Sequence, residues 1–288
     1  MSPRPSQSST QPELVDLLHL GSAKVIGVWR LGDVLVDPGP GSCLDRLLPS
    51  LERHPPRVLA LTHIHLDHAG ATGSLLTRFP DAEVWVHERG APHMIDPSRL
   101  MRSAGRLYGA DMERLWGEML PVPADRVRVL RGGETLGDFE VAYTPGHASH
   151  HVSYLHRPTG VAFTGDVTGV RIDPACTLAP TPPPDIDLRA WRASLELIEA
   201  WHPRSLAVTH FGRYGDVEQQ LGALREQLDW VQRLVKDDDQ DEASFVAAIK
   251  AMVGDASARD LAPAYEQAMP AAQSYHGLTR HLRGDQTP

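Results

Sequence analysis

The chain has 288 residues, 41% of them apolar, and a formal net charge of -9. That is enough apolar material for a large core, while the acidic balance excludes nucleic acid or an anionic membrane as main partner, since both demand a basic surface. Cys43 and Cys176 make no disulfide framework and lack C-x-x-C spacing, no stretch has the length of a membrane span, and the N-terminus lacks the apolar core of a signal peptide, so a cytoplasmic protein is expected.

Met1 to about Pro12, rich in Ser, Pro and Gln, reads as a disordered tail. Apolar runs at Leu14–Leu20, Lys24–Trp29 and Val34–Asp37, separated by Gly-containing turns, predict an antiparallel meander. The turn Asp37-Pro38-Gly39-Pro40-Gly41 follows, and Ser42 is placed to cap a helix to about Arg53. Val58–Leu61 reads as a buried strand, Gly70 to Phe79 as a helix and Glu83–His87 as the next strand. Between 92 and 120, Met94, Met101, Met112 and Met119 join Leu100, Leu107, Leu115, Trp116 and Leu120 at helical intervals. Such a Met-rich segment suits core helices, a lid or a homodimer contact. Strands are expected at Arg126–Leu130, Asp138–Thr144, His151–His156 and Val161–Thr164, a helix from about Leu188 to Trp201, and a strand at Ser205–Val208. Helical periodicity returns at Val217–Val235, at Asp241–Met252 and from about Ala258, with the solvated run Lys236-Asp237-Asp238-Asp239-Gln240 between the first two. The expected organisation is therefore a tail (1–12), a main domain (13–215) and a helical extension packed on it (216–288).

The strand Val58–Leu61 leads into Thr62-His63-Ile64-His65-Leu66-Asp67-His68, where four metal-binding side chains fall within six residues. The spacing is not that of a zinc finger or of a His-Glu-x-x-His helix, whose histidines at i and i+4 share one face. His63 and His65 alternate and Asp67 and His68 are adjacent, so the four meet one ion only under strain. A loop that aims His63 and His65 at one metal and Asp67 and His68 at a neighbour removes the conflict. Three further candidates close later strands: His147 after Thr144-Pro145-Gly146, Asp166 after Phe163-Thr164-Gly165, and His210 after Val208-Thr209. Each alone is an ordinary strand-end residue. Together the seven suffice for two neighbouring ions if one carboxylate bridges them and a water completes each shell. Leu59-Ala60-Leu61-Thr62-His63 and Leu206-Ala207-Val208-Thr209-His210 nearly echo each other, as suits two halves that bring strand ends to a shared edge.

These motifs resemble the metallo-β-lactamase superfamily, whose signature is His-x-His-x-Asp-His followed by a His, an Asp and a His at strand ends. The resemblance runs from about Leu14 to Gly215 and implies an α+β fold, a four-layer αββα sandwich with metals in a cleft at one edge of its two sheets. It implies that His63, His65 and His147 hold one ion, that Asp67, His68 and His210 hold the second, that Asp166 bridges, and that Asp37 supports the site from behind. The best-known β-lactam hydrolases carry a Cys at the downstream second-metal position; here the motif ends in Asp166, which argues against a β-lactamase proper. Thr144-Pro145-Gly146-His147 and Phe163-Thr164-Gly165-Asp166 are similar to the glyoxalase II type, which cleaves thioesters, although Ala148-Ser149-His150-His151 keeps only the final His of the usual continuation.

On this resemblance two divalent ions are expected, zinc first, with manganese or iron compatible with the same ligands. Their four positive charges, less those offset by Asp67, Asp166 and a bridging hydroxide, leave about one to favour an anionic transition state. The expected reaction is hydrolysis of a small ester, thioester or lactone by that hydroxide, with Asp67 orienting it or taking its proton and Tyr214 donating to the leaving oxygen. Phosphodiester hydrolysis on the same dinuclear site is the alternative. A mononuclear iron dioxygenase using His63, His147 and Asp166 would leave Asp67, His68 and His210 without a role. The substrate is expected to be a small molecule, anionic or partly apolar, with His150, His151, Tyr154, Arg171 and the Met-rich segment as candidate contacts. The cationic stretch Tyr275–Arg283 is a candidate partner for a substrate anion.

Overall fold

The structure, a computed structural model, describes residues 11–173, 176–236, 241–255 and 259–283. The expected N-terminal tail up to residue 10, residues 237–240 of the charge run and Ala258 lie outside the described residues.

The first sheet is laid down in chain order: β1 (Glu13–Asp16), β2 (Gly27–Leu31), β3 (Val34–Val36), β4 (Val58–Ala60), β5 (Glu83–His87) and β6 (Val127–Leu130). The first three pair antiparallel, as the meander predicts, and β3 to β6 pair parallel. The second sheet holds β7 (Thr135–Leu136), β8 (Phe139–Tyr143), β9 (Val152–His156) and β10 (Val161–Gly165). It is completed, beyond the short hairpin of β11 (Val170–Arg171) and β12 (Thr177–Leu178), by β13 (Ser205–Val208) and β14 (Gly212–Tyr214), in the order β14-β13-β10-β9-β8-β7.

Side-chain alternation separates the layers. Trp29, Val34, Val36, Ala60 and Trp85 of the first sheet meet Val152, Tyr154, Val161, Phe163 and Ala207 of the second in one buried cluster. Their neighbours one position along, Leu35, Leu59, Val84 and Val86, and Leu155, Ala162, Leu206 and Val208, belong to the cluster that includes the helices. Those helices include α1 (Leu44–Leu51), the single turn α2 (Leu66–Ala69), α3 (Thr72–Arg78), α4 (Ala91–Ile95), α5 (Ser98–Tyr108), α6 (Met112–Trp116) and α7 (Leu188–Ala200). The last starts where the Asp187 carboxylate accepts from the amides of Arg189 and Ala190. The expected αββα sandwich is thus the observed fold.

Strand direction explains why one edge carries the chemistry. β3 and β4 run the same way. β8 and β10 both oppose β9, so they too share a direction, and β13 is parallel to β10. The C-terminal ends of these strands therefore crowd together. Cross-sheet bonds close that edge: Trp29 Nε1 donates to Val208 O at 2.9 Å, Gly27 N to Thr209 O at 2.9 Å, and Val152 N to Thr62 O at 2.8 Å.

Several local expectations change. The run Leu14–Leu20 is strand only to Asp16, because its carboxylate accepts from Leu18 N and Lys24 N and folds the chain back. Leu18 and Leu20 are left-handed, at φ 49° and 52°, which no strand permits. Ser42 does not cap α1; its hydroxyl donates to Leu115 O, and a tight turn over Gly41–Cys43 precedes the helix. In the Met-rich segment Met94 and Met119 are core, Met101 and Met112 pack at its margin, and α5 buries no residue fully. The C-terminal stretch forms α8 (Val217–Lys236), α9 (Glu242–Asp255), α10 (Ala262–Ala268) and α11 (Ala271–Leu282). A Cβ on Gly277 would lie 2.0 Å from Thr181 O, so α11 rests directly on the proline-rich loop after β12. Among the described residues no helix is long and apolar enough to cross a membrane.

Candidate metal centre

His63 and His65 occupy the loop after β4, and Asp67 and His68 lie on α2, not in an extended loop. Successive helical residues diverge by about 100°, which separates the Asp67 and His68 side chains without straining the backbone. His147 follows β8, Asp166 follows β10 and His210 follows β13. The structure brings all seven expected ligands together. His63, His65 and His147 place ligand atoms within 4.8 Å of one another, as do Asp67, His68 and His210.

Hydrogen bonds behind the rings fix where their protons sit. His147 Nδ1 faces Pro180 O at 2.8 Å and His210 Nδ1 faces Val25 O at 2.6 Å. A carbonyl only accepts, so each Nδ1 carries the proton. His68 Nδ1 donates to the Asp37 carboxylate at 3.0 Å. The single proton of Thr62 Oγ1 goes to Asp37 Oδ2 at 2.7 Å, so His63 Nδ1, 3.0 Å from the same oxygen, must donate to it. In their neutral forms these four imidazoles therefore turn an Nε2 lone pair inward. Asp37, Asp67 and Asp166 are the carboxylates among them, and Asp37 is occupied: Thr62 N, Thr62 Oγ1, Thr209 Oγ1 and His68 Nδ1 all donate to it. Asp37, His63 and His68 also lie close enough to suggest a third ion position. With four donors on its carboxylate, Asp37 is better read as the orienter of His68.

The inward atoms fit divalent cations. Tetrahedral zinc with bonds of about 2.0–2.1 Å keeps its ligand atoms about 3.3 Å apart. His65 Nδ1 lies 3.1 Å from both His63 Nε2 and His147 Nε2. Asp67 Oδ2 lies 3.6 Å from His68 Nε2 and 3.3 Å from His210 Nε2. Asp166 reaches both groups: Oδ2 is 3.4 Å from His147 Nε2, and Oδ1 is 3.3 Å from His68 Nε2 and 3.5 Å from His210 Nε2. The carboxylate–imidazole contacts of His68 and His210 attract but are not aligned as hydrogen bonds, so His68 Nε2, His210 Nε2 and Asp166 Oδ1 are buried without a hydrogen-bond partner. Buried polar atoms left this way are costly unless something completes them, and here all point at one another.

Charge divides the centre. Burial, then the neighbouring imidazoles, hold His63 well below the usual histidine pKa and His65 at about 4. Burial also lowers His147. For His68 and His210 burial acts the same way, but the carboxylates, Asp166 foremost, outweigh it and raise both. Burial opposes the Asp67 and Asp166 anions too, yet His68 and His210 hold both carboxyls below the ordinary range. One half is a neutral nitrogen trio and the other is carboxylate-rich, so each presents a different field to a cation.

Tyr214 does not have the expected role. Its one hydroxyl proton is held by main-chain oxygens, Arg171 O at 2.7 Å and Phe211 O, and the Arg171 guanidinium sits 4.0 Å from its ring centre. Burial pushes this phenol up to about 12. It locks strand ends instead of supplying a proton. Other candidate contacts are likewise engaged: Tyr154 donates to Leu61 O, the buried His151 pairs with Thr144, and Arg171 is bidentate to Asp216. His150 remains partly exposed beside His63 and His65. Sequence reasoning missed His19, which is buried, donates from Nε2 to Leu115 O and stacks on Trp116. Tyr108 packs edge-on to the same indole and reaches Gln273 of α11. Nothing local in the sequence marks these residues, because they meet only through tertiary packing.

Comparison with known proteins agrees with this geometry. The family described as the metallo-beta-lactamase superfamily matches residues 32–210. The metallo-beta-lactamase fold-containing protein ST1585 of Sulfurisphaera tokodaii is 31% identical over 162 residues, 54% of this chain and 60% of that protein. Its crystal structure superposes with a TM-score of 0.64 over 94% of this chain and 98% of its own, at 19% identity. A hydroxyacylglutathione hydrolase of Erwinia tasmaniensis is 29% identical over 144 residues, 48% of this chain and 45% of that enzyme. The metallo-beta-lactamase family protein TTHA1429 of Thermus thermophilus shares the fold at a TM-score of 0.59, with 19% identity over 95% of this chain and 93% of that one. The sequence matches cover 45–60% of the two curated relatives' lengths. The family match begins in the β2–β3 turn, ends on the last of the seven inward-facing residues and takes in more than half of the sequence; on that extent the chain belongs to the metallo-beta-lactamase superfamily.

Proposed function

We propose that this protein is a dinuclear metallohydrolase of a small ester, thioester or lactone. The observation that carries the reading is Asp166, whose two oxygens face different ligand groups, Oδ2 toward His147 and Oδ1 toward His68 and His210. His63, His65 and His147 would hold one ion, Asp67, His68 and His210 the other, and Asp166 both. Zinc is the first expectation, because imidazole and carboxylate donors in sets of three to four suit it, and they suit manganese and iron as well. When bound, such ions supply Lewis acidity and lower the pKa of water to roughly 7.

The chain's own residues do the rest. The Nδ1 bonds to Pro180, Val25, Asp37 and Thr62 keep the rings from turning. Asp67 is the more open of the two central carboxylates, with a fifth of its side chain exposed, and His68 and His210 keep it ionised. It is the group placed to orient an attacking water or take its proton. The hydroxyacylglutathione hydrolase relative, named for a thioester substrate, supports the acyl reading over phosphodiester cleavage. A small-molecule substrate, with neither nucleic acid nor membrane, suits the acidic chain. Elemental analysis of protein purified without chelator should give about two metal ions per chain. A panel of S-lactoylglutathione, aliphatic lactones and bis-p-nitrophenyl phosphate should show turnover of the acyl compounds first. Retention of no transition metal would end this reading.

A further inference from the structure

We propose that His150 is a hydrogen-bond donor to the substrate's reacting oxygen, presented beside the His63–His65–His147 side of the centre; the inference rests on the acyl-hydrolase reading above. His150 lies where the sequence departs from the usual continuation of the family motif. Its turn is pinned: Tyr143 Oη donates to Ser149 O at 2.9 Å, Ser149 Oγ to Asp185 at 2.6 Å, and His151 N to Ala148 O at 3.3 Å. The His150 ring lies parallel to His63, with centroids 6.2 Å apart and planes at 10°, and edge-on to His65 at 5.7 Å.

The ring's proton can be placed. Ile64 N–H points at His150 Nδ1 over 3.4 Å. An amide only donates, so Nδ1 accepts and a neutral ring carries its proton on Nε2. Among the described residues no group accepts from that Nε2, nor is it one of the buried orphan atoms, so it is left open on a partly exposed side chain. In the loaded centre the inward lone pairs of the ligand imidazoles would be spent on the ions, so none of those nitrogens has a proton to give the substrate. His150 carries such a proton on a ring whose centroid lies 5.7 Å from that of His65 and 6.2 Å from that of His63. A carbonyl oxygen that gains charge as the carbon is attacked is met there by a fixed N–H, the arrangement that stabilises an oxyanion.

Two variants separate this role from packing. His150→Gln keeps a donor near the Nε2 position, and His150→Phe keeps the ring shape without it. In the zinc-loaded enzyme, with 4-nitrophenyl acetate and S-lactoylglutathione as probes, the Phe variant should lose about 10²–10³-fold in kcat at unchanged zinc content, and the Gln variant should stay within about tenfold of the parent. Affinity for phenylphosphonate, read by calorimetry, should fall in the Phe variant only. Independently of turnover, long-range ¹H–¹⁵N spectra of metal-free protein should show the His150 proton on Nε2. A proton on Nδ1, parental kcat in the Phe variant, or equal losses in both variants with zinc released would each overturn the proposal. If the parent turns over neither probe, the acyl-hydrolase reading fails, while the tautomer and the phosphonate affinities still decide whether His150 is a donor.

Discussion

The Thr209 hydroxyl donates to the Asp37 carboxylate over 3.0 Å, joining strand ends 172 positions apart in the chain. Thr62 donates to the same carboxylate from the loop after β4, so Asp37 ties both sheets together at the edge where His63, His68 and His210 emerge. The echo between Leu61-Thr62-His63 and Val208-Thr209-His210 thus has a physical cause. Each threonine anchors its strand end to one buried anion, and each following histidine points into the centre.

Asp37→Asn should therefore hurt twice. An amide accepts through one oxygen only, leaving buried donors unpaired, at a cost of about 3 kcal/mol. His68 loses the acceptor that fixes its tautomer, which should weaken metal affinity by about 10–100-fold. Thermal unfolding of the metal-free protein measures the first effect and competition with a chromophoric chelator the second; parental affinity in the variant would show that Asp37 does not orient His68.

His68→Ala combined with His210→Ala should lower bound metal from about two ions per chain to about one, because the nitrogen trio of His63, His65 and His147 is untouched. Elemental analysis gives the count. Loss of all metal would mean that the two groups act as one site. Hydrolysis of the acyl probes should drop with the second ion.

Gly165 is a steric prediction. Its φ is +48°, and a Cβ there would lie 2.3 Å from Thr62 Oγ1. Gly165→Ala must push Thr62 off Asp37 or shift Asp166, and a destabilisation of about 1–3 kcal/mol is expected in chemical denaturation, together with weaker metal retention.

The Arg171–Asp216 pair makes a pH prediction away from the metal ligands. The hydrogen bonds from Arg171 hold the Asp216 carboxyl below its usual range. A depressed carboxyl contributes stability that is complete above the unfolded value, about 3.9, and is lost as pH falls through the folded value. Asp216 is over a third exposed, so the effect is about 1 kcal/mol at most. Asp216→Asn should lower Tm slightly at neutral pH, and the gap should close as pH falls below about 4. A gap that stays constant down to acid pH would assign the loss to packing.

The sequence by itself determined the strands and the candidate ligands, and its resemblance to the superfamily implied the layers. Near-continuous apolar runs in β3, β4 and β10 mark strands buried on both faces, and the density of His and Asp at strand ends marks a metal centre before any coordinate is known. Both signals are local: an apolar run is read within one strand, and ligand spacing within one loop. Tertiary structure alone decided the role of Tyr214, whose hydroxyl the fold turns to Arg171 and Phe211, and the early end of the first strand at Asp16. It also decided that His19 and Trp116 stack although they lie far apart in the chain, and that Ile64 N–H faces His150 Nδ1. A side chain's hydrogen-bond partner depends on which distant backbone passes within about 3 Å, and no spacing along the chain encodes that.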